Sequence, residues 1–351
     1  MPFEFISPSS FEVMRLCRLR SAFSRAFPSG AEADTAVRIG RICHAVLDFL
    51  VRSGNLVAAD WDRDLEAAWS DEVRREGESV GEAPGHLSSE PERWPGYELK
   101  RARLRRMAAR LRTVLTALPE GAVLLPEEPM AALEGKLRGR PDLVVRHPDA
   151  HMVIDYKSGR AVEKVTLALR TAYEHQLQLY AFLEAETSGS WPTSAHLYPL
   201  EGSPVEIAVD PRECTALAEE AVSLLGRYNA TCPEPQPATA GLGTCPRCQY
   251  ATNCPAFWDA CDSSWSVSLQ AVAGQVLEAS SARLGGISLL IQAEAGSLGS
   301  GQVWIRNIAV EEHPVARSIQ RGSVVGMVGL REEEGRGFYR LPEWGLIRLI
   351  G

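Results

Sequence analysis

Two rhythms of apolar residues run through the chain. From Val37 to Val51, Ile39, Ile42, Val46, Phe49 and Leu50 recur at helical spacing, which predicts an amphipathic helix with His44 in its middle. Ser7-Pro8-Ser9-Ser10 is a helix-start signal, and an amphipathic helix carrying Cys17 should follow it over residues 6–27. Residues 55–120 read as helical around a polar break from Glu76 to Gly96. Extended segments between Val123 and Leu137 then feed two short apolar strands, Gly139–Val145 and His151–Gly159. His147-Pro148-Asp149-Ala150 between them suggests a hairpin, which makes the two strands antiparallel neighbours. Helical spacing returns from Ala161 to Ser188. Ser194–Leu200 and Val205–Val209 read as strands, Pro211–Asn229 as a helix, and Thr231–Gly243 as a loop.

The rhythm changes near Trp265. Short β-like runs at 273–276, 287–291, 303–305, 323–328 and 346–350 alternate with glycine turns. Five strands in roughly 85 residues suit a small all-β barrel. Arg321-Gly322-Ser323-Val324-Val325 resembles the entry to the fourth strand of an OB-fold. Trp304, Phe338, Tyr339 and Trp344 either stack on the bases of a single strand or fill a small core; a barrel of this kind also suits a protein partner.

Composition adds limits. The 351 residues suffice for one large domain or two ordinary ones, and 45% hydrophobic with 23% charged is ordinary for a globular protein. No apolar run approaches the roughly 18–20 residues of a membrane span. Met1-Pro2-Phe3-Glu4-Phe5 lacks the basic and apolar regions of a secretory leader, so a cytoplasmic location without a membrane partner is expected. The net charge of -8 argues against a broad nucleic-acid coating surface, which would be basic. It leaves room for a site where bound cations offset phosphate charge locally. Eight cysteines in the cytoplasm read as metal ligands or buried thiols before disulfides.

The candidate chemistry lies on the two central strands. Side chains two apart share a strand face, so Asp155 and Lys157 project together, and an antiparallel neighbour brings Asp142 towards them. Two carboxylates and a lysine at a strand edge can hold a divalent metal and a water. His44, taken alone, would usually be structural. Gln176 and Tyr180 are four apart and share a helix face. The basic run from Lys100 to Arg112 is either a solvated helix face or a phosphate track beside the site. Cys245-Pro246-Arg247-Cys248 followed by Cys254 gives C-x2-C-x5-C, a trio in need of a fourth ligand. Cys17, Cys232, Cys261, Cys43 and Cys214 are the candidates, and spacing alone does not separate a zinc site from an iron–sulfur cluster.

Together the order His44, Asp142, Asp155-x-Lys157 and Gln176-x-x-x-Tyr180 resembles the RecB-like branch of the PD-(D/E)XK nucleases. An early cysteine with a late C-x2-C-x5-C trio is similar to the iron–sulfur members of that branch, which include the AddB subunit of bacterial recombination enzymes and the CRISPR-associated adaptation nuclease. The resemblance covers about residues 6–260. It implies an α/β, restriction-endonuclease-like core, a central mixed sheet flanked by helices, over residues 1–262; the small OB-like barrel read from the β pattern follows at 265–351. It implies a [4Fe–4S] cluster on Cys17, Cys245, Cys248 and Cys254. It implies Mg²⁺ or Mn²⁺ held by His44, Asp142, Asp155 and the carbonyl of Tyr156. Lys157 would orient the attacking water and stabilise the phosphate, and Gln176 and Tyr180 would support the site. Glu128 is a further acidic candidate.

The expected activity is metal-dependent hydrolysis of DNA phosphodiesters, on single strands or ends, in repair, recombination or phage defence. Its rivals are a non-catalytic DNA-binding or scaffold subunit of a helicase–nuclease complex, and a zinc-ribbon interaction protein, which explains the cysteines but not the core motif. A Walker A loop is missing, so a helicase or other ATPase would have to be a partner chain.

Overall fold

The computed structural model describes residues 2–26, 35–82, 90–94, 96–161, 169–232, 234–281, 285–333 and 336–350. They form two compact units. The first takes the described residues up to 15 and from 35 to 235, the second those from 16 to 26 and from 236 onward. No helix among the described residues is long and apolar enough to cross a membrane.

The helix expected over 6–27 is two helices, α1 (Pro8–Leu16) and α2 (Arg18–Ala26), with Cys17 at the break. Ser7 caps α1, its Oγ accepting from the Ser10 amide at 3.2 Å. In one continuous helix the Leu19 amide would donate to Arg15; it donates instead to the Pro237 carbonyl at 3.3 Å, a tertiary bond that ends the ladder. Helix α3 (Thr35–Arg52) buries Ile39, Ile42, Val46 and Leu50, with Cys43 and Leu47 completing the stripe. Phe49 falls outside that stripe and is 48% exposed. Helix α4 (Trp61–Glu82) runs into the expected polar break, whose stretch 83–89 lies outside the described residues, and α5 (Tyr97–Thr116) follows.

The first unit is built on a five-stranded mixed sheet. Strand β1 (Val123–Pro126) is followed by a small separate hairpin, β2 (Met130–Ala132) with β3 (Leu137–Gly139). The expected central hairpin is β4 (Leu143–Arg146) with β5 (Met152–Arg160), antiparallel with Leu143 opposite Ile154. Leu143, Val144 and Val145 are all fully buried, as a central strand covered on both faces requires. Helix α6 (Thr171–Ser188) then carries the chain to β6 (Ser194–Glu201), which pairs parallel with β5. A parallel neighbour needs such a crossover. α6 begins at Thr171 rather than Ala161; residues 162–168 of the expected helix lie outside the described residues. β7 (Val205–Ala208) completes the order β1-β4-β5-β6-β7, and α7 (Pro211–Thr231) starts on an Asp210 side-chain cap to the Arg212 amide at 2.8 Å.

Helix α1 is tied to α6 by charge. Glu12 accepts from Arg15 at 2.7 and 2.8 Å and lies 3.0 Å from His175 Nδ1. Burial alone would raise its carboxyl; the bonds from His175 and Arg15 outweigh that and hold it at about 2 instead of 4.5. A depressed carboxylate pKa stabilises the fold above the unfolded value, and that stability is lost as pH falls from about 4.5 to about 2. Wild type should therefore exceed Glu12→Gln by about 2–3 kcal/mol above pH 5, and the gap should close towards pH 2. Thermal melts of both proteins across this range check it; a gap independent of pH would contradict the linkage.

In the second unit, α8 (Pro255–Ala260) precedes strands β8 (Gln270–Ser281), β9 (Ile287–Ala295), β10 (Gly301–Ile308), β11 (Val324–Glu333), β12 (Phe338–Arg340) and β13 (Leu346–Leu349). The sheet order is β12-β10-β9-β8-β11-β13, and β12 pairs with β11 as well, so five strands close into a barrel of OB type. The strand that closes it, Phe338–Arg340, is not among the five runs visible in the sequence; the run at 346–350 is β13, an added strand on β11. Three residues are too few to show an alternating pattern. Val272, Leu289, Ile291, Ile305, Val325 and Met327 fill the interior.

Candidate active site

The fork where β4 and β5 part holds the predicted carboxylates. Pairing ends at Leu143–Ile154, so Asp142 sits just before β4 and one oxygen accepts from the Tyr156 amide. The other lies 3.1 Å from His44 Nδ1. Asp155 projects from the opposite face of β5 to Tyr156. Its Oδ1 accepts from Gln176 Nε2 at 3.2 Å, and Lys157 Nζ is 2.5 Å from its Oδ2. Gln176 and Lys157 thus each engage one oxygen of the buried Asp155 carboxylate.

Three elements and one strand entry deliver these side chains: α3 brings His44, β5 brings Asp155 and Lys157, α6 brings Gln176 and Tyr180, and Asp142 precedes β4. α3 packs on β5, and the His44 and Tyr156 rings meet edge to face at 6.0 Å. α6 covers the Asp155 side, placing Gln176 one turn before Tyr180, whose hydroxyl is 3.4 Å from the Gln176 amide. Gly139 makes this possible: a Cβ there would stand 2.8 Å from Leu183 and 2.9 Å from Tyr180. Tyr156 therefore contributes through its backbone beside Asp142, while its side chain packs under His44.

The electrostatics follow from this crowding. Burial lifts the Asp155 carboxyl to about 6, with Lys157 opposing and Asp142 reinforcing the rise. For His44, burial pulls the pKa down, but the Asp142 hydrogen bond and charge prevail and raise it. Burial, reinforced by the Asp155 charge, raises Tyr180 far enough to keep its hydroxyl neutral.

Two residues escaped the sequence reading. Glu127, not Glu128, is the further carboxylate at the fork. Its amide donates to the Asp142 carbonyl at 3.2 Å, and burial with the charges of Asp142 and Asp48 raises its pKa. It occupies a left-handed backbone position, φ 53°, which no pattern in Glu127-Glu128 discloses. Tyr173, one turn before Gln176, lies under Lys157, with the ammonium 5.2 Å from its ring centre. The spacing of Tyr173 and Gln176 on one helix face was the available signal.

The basic helix α5 is engaged within the fold. Arg101 pairs with Glu66, Arg105 with Asp62, and Arg103 with Glu201 at 3.3 Å, while Arg110 reaches the Gly202 carbonyl at 2.5 Å. A phosphate track along this face has few free cations to offer.

The second unit gathers the other expected set. Cys17, Cys245, Cys248 and Cys254 line one pocket beside Phe23 and Phe257. Burial raises the thiols of Cys245, Cys248 and Cys254, and each also feels the charge of Cys17. The Thr239 amide donates to Cys17 Sγ at 3.5 Å and the Gly241 amide to Cys245 Sγ at 3.4 Å. Cys261 is buried outside this pocket, and Cys43, Cys214 and Cys232 belong to the first unit.

Among the described residues, no group of three or more His, Cys, Asp or Glu side chains is placed closely enough to hold a metal ion. The donor chemistry nonetheless separates cleanly. The Asp142 and Asp155 carboxylates, with the His44 imidazole on Asp142, are oxygen and nitrogen donors that suit a hard divalent cation. Four thiols around one pocket suit a soft one. The sequence profile of the PD-(D/E)XK nuclease superfamily matches residues 6–255, a range that takes in both sets. No curated protein matches the chain.

Proposed function

The chain belongs to the PD-(D/E)XK nuclease superfamily, and from that membership and the fork geometry we propose that it is a Mg²⁺- or Mn²⁺-dependent deoxyribonuclease acting on single strands or DNA ends. The observation that carries the reading is the convergence of two carboxylates, an imidazole and an ammonium at the fork: His44 Nδ1 lies 3.1 Å from Asp142, and Lys157 Nζ lies 2.5 Å from Asp155. Asp142, Asp155, His44 and the Tyr156 carbonyl would hold the cation. When bound, it supplies a Lewis acid that polarises the phosphate and makes a nearby water more acidic. Gln176 fixes the Asp155 carboxylate by its 3.2 Å bond, and Tyr156 and His44 fix Asp142. Lys157, braced on Tyr173, offers a positive charge to the non-bridging oxygens as the phosphorus becomes five-coordinate. Glu127 adds negative charge beside Asp142.

The test is purified protein with end-labelled single- and double-stranded DNA in Mg²⁺, Mn²⁺ or EDTA. Metal-dependent cleavage that fails in Asp155→Asn supports the enzyme. DNA binding without cleavage under any metal supports the scaffold reading instead.

For the thiol pocket, the reading is a [4Fe–4S] cluster on Cys17, Cys245, Cys248 and Cys254. Its support is the selection of Cys17, out of five candidates, to face the trio, together with amide bonds aimed at two sulfurs. Hydrolysis needs no redox step, so the role is structural: a link from Cys17 to Cys245 closes a loop of about 230 residues, worth up to ~5 kcal/mol in a loop-entropy account. Cys254→Ala should lose the brown thiolate–iron absorbance and melt several degrees lower. Colourless wild-type protein holding stoichiometric zinc would sink the assignment.

A further inference from the structure

The outer wall of the barrel carries a feature the nuclease site does not use. On β10, Val303 and Ile305 point into the core, so Trp304 and Arg306 face outward. On β12, Tyr339 stands opposite Ile305 and packs on the core, which turns Phe338 and Arg340 outward. On β11, Arg331 stands opposite Arg340 and shares its face. The three strands β10, β12 and β11 are neighbours, so these side chains form one stripe about 10 Å across.

Within the stripe, guanidinium and aromatic groups interleave. The Arg306 guanidinium lies 5.3 Å from the Trp304 ring centre and 5.1 Å from that of Phe338. Arg331 lies 5.3 Å from the ring centre of Trp344, which is 58% exposed. Gly329 leaves room for that ring, since a Cβ there would stand 2.5 Å from it. A break in strand register between Ile305 and Ile308, with Asn307 at φ 54°, follows directly after Arg306. Such bulges re-aim the side chains beside them.

The charges are informative. On α5, Arg101, Arg103 and Arg105 are matched by carboxylates, whereas among the described residues neither Arg306 nor Arg331 has a carboxylate partner within ion-pair distance. Arg340 is the exception in the stripe, held by Glu333 at 2.8 Å. Rings that offer flat faces and cations that stay unneutralised complement a chain of bases and phosphates. A duplex hides its base faces, so the complement is a single strand.

We propose that this stripe binds single-stranded nucleic acid, with bases stacking on Trp304, Phe338 and Trp344 and phosphates meeting Arg306 and Arg331. It supplies the barrel with a function of its own and does not require the fork to cleave anything.

The test uses the full chain in EDTA with a fluorescein-labelled oligothymidylate of about 20 nucleotides, read by anisotropy, with hairpin duplex as competitor. Trp304→Ala, Trp344→Ala and Arg306→Gln should each weaken binding about tenfold, and the triple variant at least a hundredfold. Arg306→Gln should also flatten the salt dependence. Trp304→Phe should retain most of the affinity. Circular dichroism melts confirm that each variant keeps its barrel. Unchanged binding in the triple variant overturns the proposal, and so does equal competition by duplex, which would place the affinity elsewhere on the protein. Because EDTA removes catalysis, a failed cleavage assay leaves this result readable.

Discussion

Asp155→Asn is expected to reduce DNA cleavage by roughly three orders of magnitude or more, the loss that follows when several kcal/mol of transition-state stabilisation disappear. The substitution is nearly isosteric and keeps an acceptor for Gln176 Nε2, now 3.2 Å from Asp155. What it removes is the negative charge. That charge is costly to the fold: burial lifts the Asp155 carboxyl from 3.8 to about 6. A carboxyl raised in the folded state loses stability as pH climbs from the unfolded to the folded value, so the wild type bears the full cost at pH 7. Asp155→Asn should therefore melt no lower than wild type at pH 7 while being inactive. Rate measurements at saturating Mg²⁺ or Mn²⁺ paired with thermal melts decide the matter. An inactive variant that has also unfolded would say only that the sheet failed. A stable variant that retains activity would remove Asp155 from the chemistry.

Glu184→Ala should have the largest effect on stability, about 3 kcal/mol and up to 5. Glu184 is fully buried on α6, eight residues beyond Gln176. It accepts from Arg146 at 2.6 and 2.8 Å and lies 2.8 Å from His151 Nε2. Burial would raise its pKa, yet the bonds from Arg146 and His151 outweigh that and lower it. The triad pins α6 to the ends of the β4–β5 hairpin, the same two strands that carry Asp142 and Asp155. Truncation leaves His151, itself 7% exposed, and part of Arg146 without the partner that justified their burial. A fall in melting temperature of roughly 10 °C follows for a unit of this size, and calorimetry reads it. Glu184→Gln should fall between the two. A loss under about 1 kcal/mol would mean that solvent replaces the triad at little cost.

The contrast between these residues shows how far local pattern reaches. Asp142, Asp155 and Lys157 were legible because strand alternation and a short hairpin are properties of neighbouring residues. Gln176 and Tyr180 were legible because four residues make a helical turn. His44 had the right helix but no local reason to be more than structural. Its place beside the carboxylates depends on a bond to Asp142, ninety-eight residues away. Glu127 and Glu128 are indistinguishable as letters, and only the backbone turn at φ 53° brings the first rather than the second to the fork. The arginines of α5 read as a solvated face or as a phosphate track, and for Arg101, Arg105 and Arg103 it is Glu66, Asp62 and Glu201, from other elements, that engage them.

The sequence by itself determined the elements that carry the candidate sites: the paired strands, the helices beside them, the cysteine trio and a β-rich end. Periodicities of two and 3.6 residues suffice for those, since burial acts on each element through its own repeat. The tertiary structure decided the partners: which of five cysteines faces the trio, which glutamate faces Asp142, which arginines remain unmatched, and which three-residue strand closes the barrel. Those choices rest on contacts between residues far apart in the chain, whose closeness is fixed by the packing of whole elements and leaves no period for a local pattern to carry.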